Sequence, residues 1–156
     1  MTETELLVHL SALEDAVVQT AAPGDGSPEI AWGDSFVTVG VGLPPEERGQ
    51  PFATIVTKDY PGFDAASQLD RPGAFRVNVQ LGREAFTARF GYPPREAAAH
   101  REAIDFAEPD RLLPHPTYAE QGWAAVVLPG PRTQDDLLEL IGRAHVAALE
   151  RRDRRR

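Results

Sequence analysis

Apolar and polar positions alternate most regularly between Ala74 and Leu81: Phe75, Val77, Val79 and Leu81 fall on one side, Arg76, Asn78 and Gln80 on the other. A period of two is the mark of a strand with one face in a core, so the opposite face is expected to meet water or a ligand. A second strand is predicted from about Ser35, where Val37, Val39 and Val41 alternate with Phe36, Thr38 and Gly40. A third runs from Phe52 to Lys58, and the polar turn "GLPPEERGQP" between these two suggests an antiparallel pair. Trp123 to Leu128 reads as a last strand, stopped by "PGPR".

At both ends the period becomes helical. Leu6, Leu7, Leu10 and Leu13 form one stripe over Thr4–Leu13, and Glu3 and Glu5 suit the N-terminal end of its macrodipole. Leu137, Leu138, Ile141, Ala144, Ala148 and Leu149 form the buried stripe of a terminal helix, with Thr133 placed to cap it and Asp135 and Asp136 in its first turn. Between these ends, "REAFTARF" predicts a short helix with Phe86 and Phe90 four apart. "PPREAAAHREAIDFA" is helical by propensity. Ala22–Glu29 and "EPDRLLPHPTYAEQGW" are irregular by their glycine and proline content. This order predicts an α+β fold: a mostly antiparallel sheet of about four or five strands, with the N- and C-terminal helices packed on one face. Residues 1–150 are expected to form one domain, and Arg151–Arg156, "RRDRRR", a disordered arginine-rich tail.

Composition narrows the chemistry. With 42% hydrophobic residues in 156, a core needs no staple. Absence of cysteine excludes disulfides, thiolate catalysis and zinc–sulfur sites. The net charge is −8, and the tail holds much of the positive charge, so the body is more acidic still. Such a body repels polyphosphate and disfavours nucleic acid as a partner. The first residues carry acids where a signal peptide carries basic charge, and no stretch approaches the ~20 apolar residues of a membrane span. A soluble, cytoplasmic monomer or homodimer without a cofactor is expected.

No catalytic motif is recognisable. The four histidines are scattered, and Glu96 with His100, four apart, reads as a helix-surface pair, so no metal is expected. Glycine-rich phosphate loops and G-x-S-x-G are missing, and Ser27, Ser35 and Ser67 have no histidine nearby in sequence.

Two segments carry candidate chemistry. In "ATIVTKDYPGFDAASQLDRPGAFRVNV", Lys58, Asp59, Tyr60, Asp64, Asp70 and Arg71 lie between two strands, and Arg76 and Asn78 follow on the non-core face. Loops at strand ends carry function disproportionately, and Arg76 with Asn78 and Lys58 suits a carboxylate or phosphate. The plainer reading is a well-made connection, in which "DRPG" is a type II-like turn with Pro72 at i+1 and Gly73 at i+2. In "LLPHPTYAEQGW", His115, Tyr118 and Trp123 sit on a proline-framed backbone. His115 is the best candidate acid or base, its ordinary pKa being near neutrality.

These blocks, with "REAF…FG" and "DRLLPHPTYAEQGWAAVVLPGPRTQDDLLELIGRAHVAA", resemble an uncharacterised family of short, cytoplasmic bacterial proteins known only as a domain of unknown function. More distantly, His115, Trp123, "PGPRTQDD" and Leu140–Ile141 resemble the corresponding places of MmcQ/YjbR-like proteins. That resemblance implies a compact α+β sandwich related to the frataxin-like arrangement, and DNA binding through paired wings; the acidic body departs from the latter. The leading expectation is a small non-enzymatic module receiving a small anionic ligand or a protein partner. The alternatives are an enzyme using His115 as acid/base with Lys58 or Arg76 holding an anion, and DNA binding through Arg76, Arg83 and the arginine tail.

Overall fold

Every one of the 156 residues is described by the computed structural model. Six strands form one antiparallel sheet: β1 (Ala16–Thr20), β2 (Ser35–Val39), β3 (Ala53–Val56), β4 (Arg76–Gln80), β5 (Leu112–Pro114) and β6 (Trp123–Val127), in the order β1-β2-β3-β4-β6-β5. The helices are α1 (Glu3–Ser11), α2 (Gly82–Phe90) and α3 (Gln134–Arg155). The fold is the α+β class that the sequence predicts. The two strands its pattern does not reveal, β1 and β5, are the sheet edges. An edge strand pairs on one side only, so β5 tolerates Pro114, and β1, none of whose residues is fully buried, alternates weakly.

The terminal helices cover one face. Leu6 and Leu10 of α1 and Leu137, Leu140, Ile141, Ala144 and Ala148 of α3 pack on Val37, Val39, Ala53, Ile55, Val77, Val79 and Val126, all buried. At roughly 1.5–3 kcal/mol for each fully buried large aliphatic side chain, this layer is the main source of stability. Helix α1 starts as its sequence requires, the Thr2 hydroxyl accepting the Glu5 N–H at 3.1 Å.

Three local expectations are corrected. Thr133 does not cap α3 with its side chain; its hydroxyl instead donates to Asp110 at 2.5 Å. The Asp110 carboxylate also accepts the N–H groups of Gly130, Arg132 and Thr133, so it organises the turn into the helix. The alanine-rich stretch winds as 3-10 turns over Pro94–Ala103. Its geometry is set by tertiary contacts: His100 stacks on Tyr92 at 3.7 Å, and Arg101 lies over Phe106 and donates to the Pro116 carbonyl. The arginine-rich end is not disordered but helical through Arg155, where cations favour the negative end of the dipole and Arg152 meets Asp15 at 2.7 Å.

The second face of the sheet is left to loops. It presents Phe36, Thr54, Val56, Arg76, Asn78, Gln80 and Trp123, and the segments 57–75 and 115–122 rise around it.

Candidate functional site

On this face lies a concave cavity of about 850 Å³. Arg76, Asn78 and Gln80 of β4, with Thr54 and Val56 of β3, contribute to its floor; Tyr60, Phe63, Asp64, His115, Tyr118 and Trp123 line it as well. Gln50, Pro51 and Arg151 contribute from the connection before β3 and the last turns of α3. The volume lies within the roughly 300–1,000 Å³ typical of small-ligand sites.

Period-two alternation puts Arg76 and Asn78 together, but neither is solvated: they are 1% and 2% exposed. A buried guanidinium is tolerable only when its donors are answered. Asp64 takes two in a fork, Nη1 to Oδ1 at 3.0 Å and Nη2 to Oδ2 at 2.6 Å. The Ser67 hydroxyl accepts from Nη1 at 2.9 Å, and Asn78 Oδ1 accepts from Nε at 2.8 Å. Asn78 in turn donates to the Thr54 hydroxyl at 2.9 Å, so one polar ridge crosses two strands. Asp64 feels opposing effects. Burial raises its pKa, but the Arg76 hydrogen bonds and charge outweigh it and leave the carboxyl below its ordinary range.

The remaining Nη2 direction of Arg76 faces His115 Nε2 at 3.3 Å. On its other side the imidazole Nδ1 accepts the N–H groups of Thr117 and Tyr118, both at 2.9 Å. Burial, and secondarily the Arg76 charge, push the His115 pKa down to about 3 despite the opposing charge of Asp64. The ring is therefore neutral at physiological pH, which removes the basis for treating it as an acid or base poised near neutrality. Ser67 hydrogen-bonds Arg76 rather than a histidine. Arg76, 1% exposed at the bottom of the cavity, is also not placed to touch a DNA backbone.

Lys58 goes elsewhere. Its ammonium donates to the Trp32 carbonyl and meets Asp34 Oδ1 at 3.2 Å, and it does not line the cavity. Asp34, fully buried, also accepts the Thr57 N–H and hydroxyl, both at 2.8 Å, and the Tyr60 hydroxyl. Burial and that bond to Asp34 push the Tyr60 phenol well above its ordinary range. Tyr60 thus joins the two polar centres, one ring edge on the cavity and its oxygen on Asp34.

The structure also places Asp59, Asp70 and Arg71 outside the cavity, as fasteners of the loop. Asp59 Oδ1 accepts the Leu69 N–H at 2.8 Å, and Asp70 Oδ1 accepts the Asp59 N–H at 3.0 Å. Arg71 donates to the Gln68 and Ser67 carbonyls. Of the eleven residues singled out in the sequence, Tyr60, Asp64, Arg76, Asn78, His115, Tyr118 and Trp123 share the cavity, while Lys58, Asp59, Asp70 and Arg71 do not. Sequence reasoning missed Asp34 and Arg151. "WGDSF" offers a single acid before a strand, and Arg151 looks like one of a solvated run until the helix is seen to continue.

Fold and site together define an α+β protein with an open antiparallel sheet, helices on one face and a side-chain-lined cavity on the other. The chain belongs to the Family of unknown function (DUF6194), whose model matches residues 1–156. No curated protein and no solved structure matches it. No helix is long and apolar enough to cross a membrane.

Proposed function

We propose that this protein is a non-enzymatic module that binds a small molecule in the cavity on the open face of its sheet. The observation that carries this reading is the cavity itself: about 850 Å³, lined by Phe36, Phe63, Tyr118 and Trp123 above a fixed polar ridge. Arg76, Asp64, Asn78 and Thr54 are locked by hydrogen bonds between their side chains, which is the preorganisation that selective binding needs. Binding without turnover is favoured over catalysis because Arg76 is committed to Asp64, Ser67 and Asn78, and His115 is held neutral with its Nδ1 occupied. A nucleophile–base pair is not among these contacts.

Gln121, an exposed residue on the cavity wall, provides the test. A metabolite library is screened by thermal shift against the wild type and against Gln121→Trp, whose indole occupies part of the volume. The reading predicts compounds that raise the wild-type melting temperature and lose that effect in the variant. Stabilisation of both proteins alike, or of neither by any compound, contradicts it.

A further inference from the structure

The imidazole of His115 presents an imbalance. Neutral histidine offers one lone pair and one N–H. Three donors converge on this ring: the Thr117 and Tyr118 N–H groups at Nδ1, and the Arg76 guanidinium at Nε2. One nitrogen must carry the proton. Placing it on Nδ1 opposes two backbone donors, whereas placing it on Nε2 opposes one, so the Nε2–H tautomer is the stable form. Nε2–H and Arg76 Nη2–H then face one another at 3.3 Å, two donors with no protein acceptor between them. His115 is 3% exposed and Arg76 1%, and both line the cavity. A buried donor left unanswered is destabilising. Neither ring nor guanidinium can turn away, because the backbone holds one and Asp64, Ser67 and Asn78 hold the other. An oxygen within hydrogen-bond reach of both nitrogens satisfies the two donors together.

Charge selects the kind of oxygen. Asp64 cancels Arg76, and among the groups lining the cavity Arg151 is left as the cation without an ion-pair partner. Aromatic surface continues toward the mouth, where Tyr118 packs on His115 at 5.0 Å and Phe63 on Tyr118 at 6.0 Å, with Phe63 and Tyr118 both exposed. Resting on the cavity reading above, we infer that the ligand is a monoanionic carboxylate with an apolar, ring-bearing body, one carboxylate oxygen seated between His115 Nε2–H and Arg76 Nη2–H. One uncompensated cation and a mainly apolar wall favour a carboxylate over a doubly charged phosphate.

Two measurements test this. The first is nitrogen NMR of the ¹⁵N-histidine-labelled protein at neutral pH. His115 is expected to be protonated on Nε2 with Nδ1 bare; protonation on Nδ1 overturns the seat. The second compares naphthalene-2-carboxylate with 2-methylnaphthalene, the same rings with no acceptor, by calorimetric titration of the wild type and Gln121→Trp. The carboxylate is expected to bind about ten- to a hundredfold more tightly than the hydrocarbon, to shift the His115 Nε2 resonance and to lose affinity in the variant. Equal affinities with an unmoved His115 resonance, both abolished by Gln121→Trp, overturn the seat and leave the cavity reading intact; a water then suffices for the two donors. If neither probe binds at millimolar concentration the carboxylate assignment fails, and the library screen decides separately whether the cavity reading fails too.

Discussion

Arg76 and Asp64 meet as a two-point fork, at 3.0 and 2.6 Å, with 1% and 8% of their side chains exposed, although they lie on different elements. This pair ties the loop after β3 to the strand that underlies the cavity, and so fixes where Tyr60 and Phe63 stand. Removing one partner leaves the other charge buried. Asp64→Asn is therefore expected to destabilise the protein by about 3–5 kcal/mol in urea unfolding. A loss below about 1 kcal/mol would mean that the fork contributes little.

His115 makes stability depend on pH. Its folded pKa of about 3 lies below the ordinary value of 6.5, so between those values the unfolded chain binds the extra proton. Its contribution is complete above about pH 6.5 and declines as pH falls toward 3. The slope approaches about 1.4 kcal/mol per pH unit for a single proton. Unfolding free energies from pH 7 to pH 4 are expected to carry this component in the wild type and to lack it in His115→Gln. Parallel profiles would contradict the assignment.

Asp34 anchors Lys58, Thr57 and Tyr60 from a fully buried position. Asp34→Ala strands Lys58 and the Tyr60 hydroxyl and is expected to cost about 3–5 kcal/mol. Lys58→Met leaves Asp34 its hydrogen bonds from Thr57 and Tyr60 and costs less, roughly 1.5–3 kcal/mol. Chemical denaturation of the two variants checks the order; a more damaging Lys58→Met would place the ammonium rather than the carboxylate at the centre of the cluster.

Asp110 holds the turn into α3. Its hydrogen bond from the Thr133 hydroxyl, with the N–H groups of Gly130, Arg132 and Thr133, lowers its pKa to about 2 against the smaller opposing effect of burial. Because the folded value lies below the ordinary 3.8, its contribution is full above about pH 4 and disappears as pH falls toward 2. Asp110→Asn is expected to lower the melting temperature at pH 7 and to flatten the wild type's decline between pH 4 and pH 2. A melting temperature equal to the wild type's at pH 7 would contradict this role.

Much of the frame was legible because it obeys simple periods. The alternation from Phe75 to Leu81 located the strand that floors the cavity, and its polar side, Arg76 and Asn78, is the side that lines it. "DRPG" was legible as well: the Ala74 N–H donates to the Arg71 carbonyl at 3.1 Å, and Gly73 has φ of 76°, the left-handed conformation that favours glycine. The partners of Arg76 were not legible, because which of several loop acids reaches a buried guanidinium depends on how the loop folds back. Asp64 reaches Arg76, while Asp59 and Asp70 bond backbone N–H groups. Lys58 misled for a similar reason. Its place at a strand end suggested a site, but the buried Asp34 directs its ammonium away from the cavity.

The central claim is that the open face of the sheet receives a small molecule, and a co-crystal structure with the strongest compound from the thermal-shift screen tests it most directly. The account predicts that compound within the cavity, in contact with Arg76, His115 and Trp123. A compound bound on the helical face or at the sheet edges, with the cavity filled only by solvent, would contradict it.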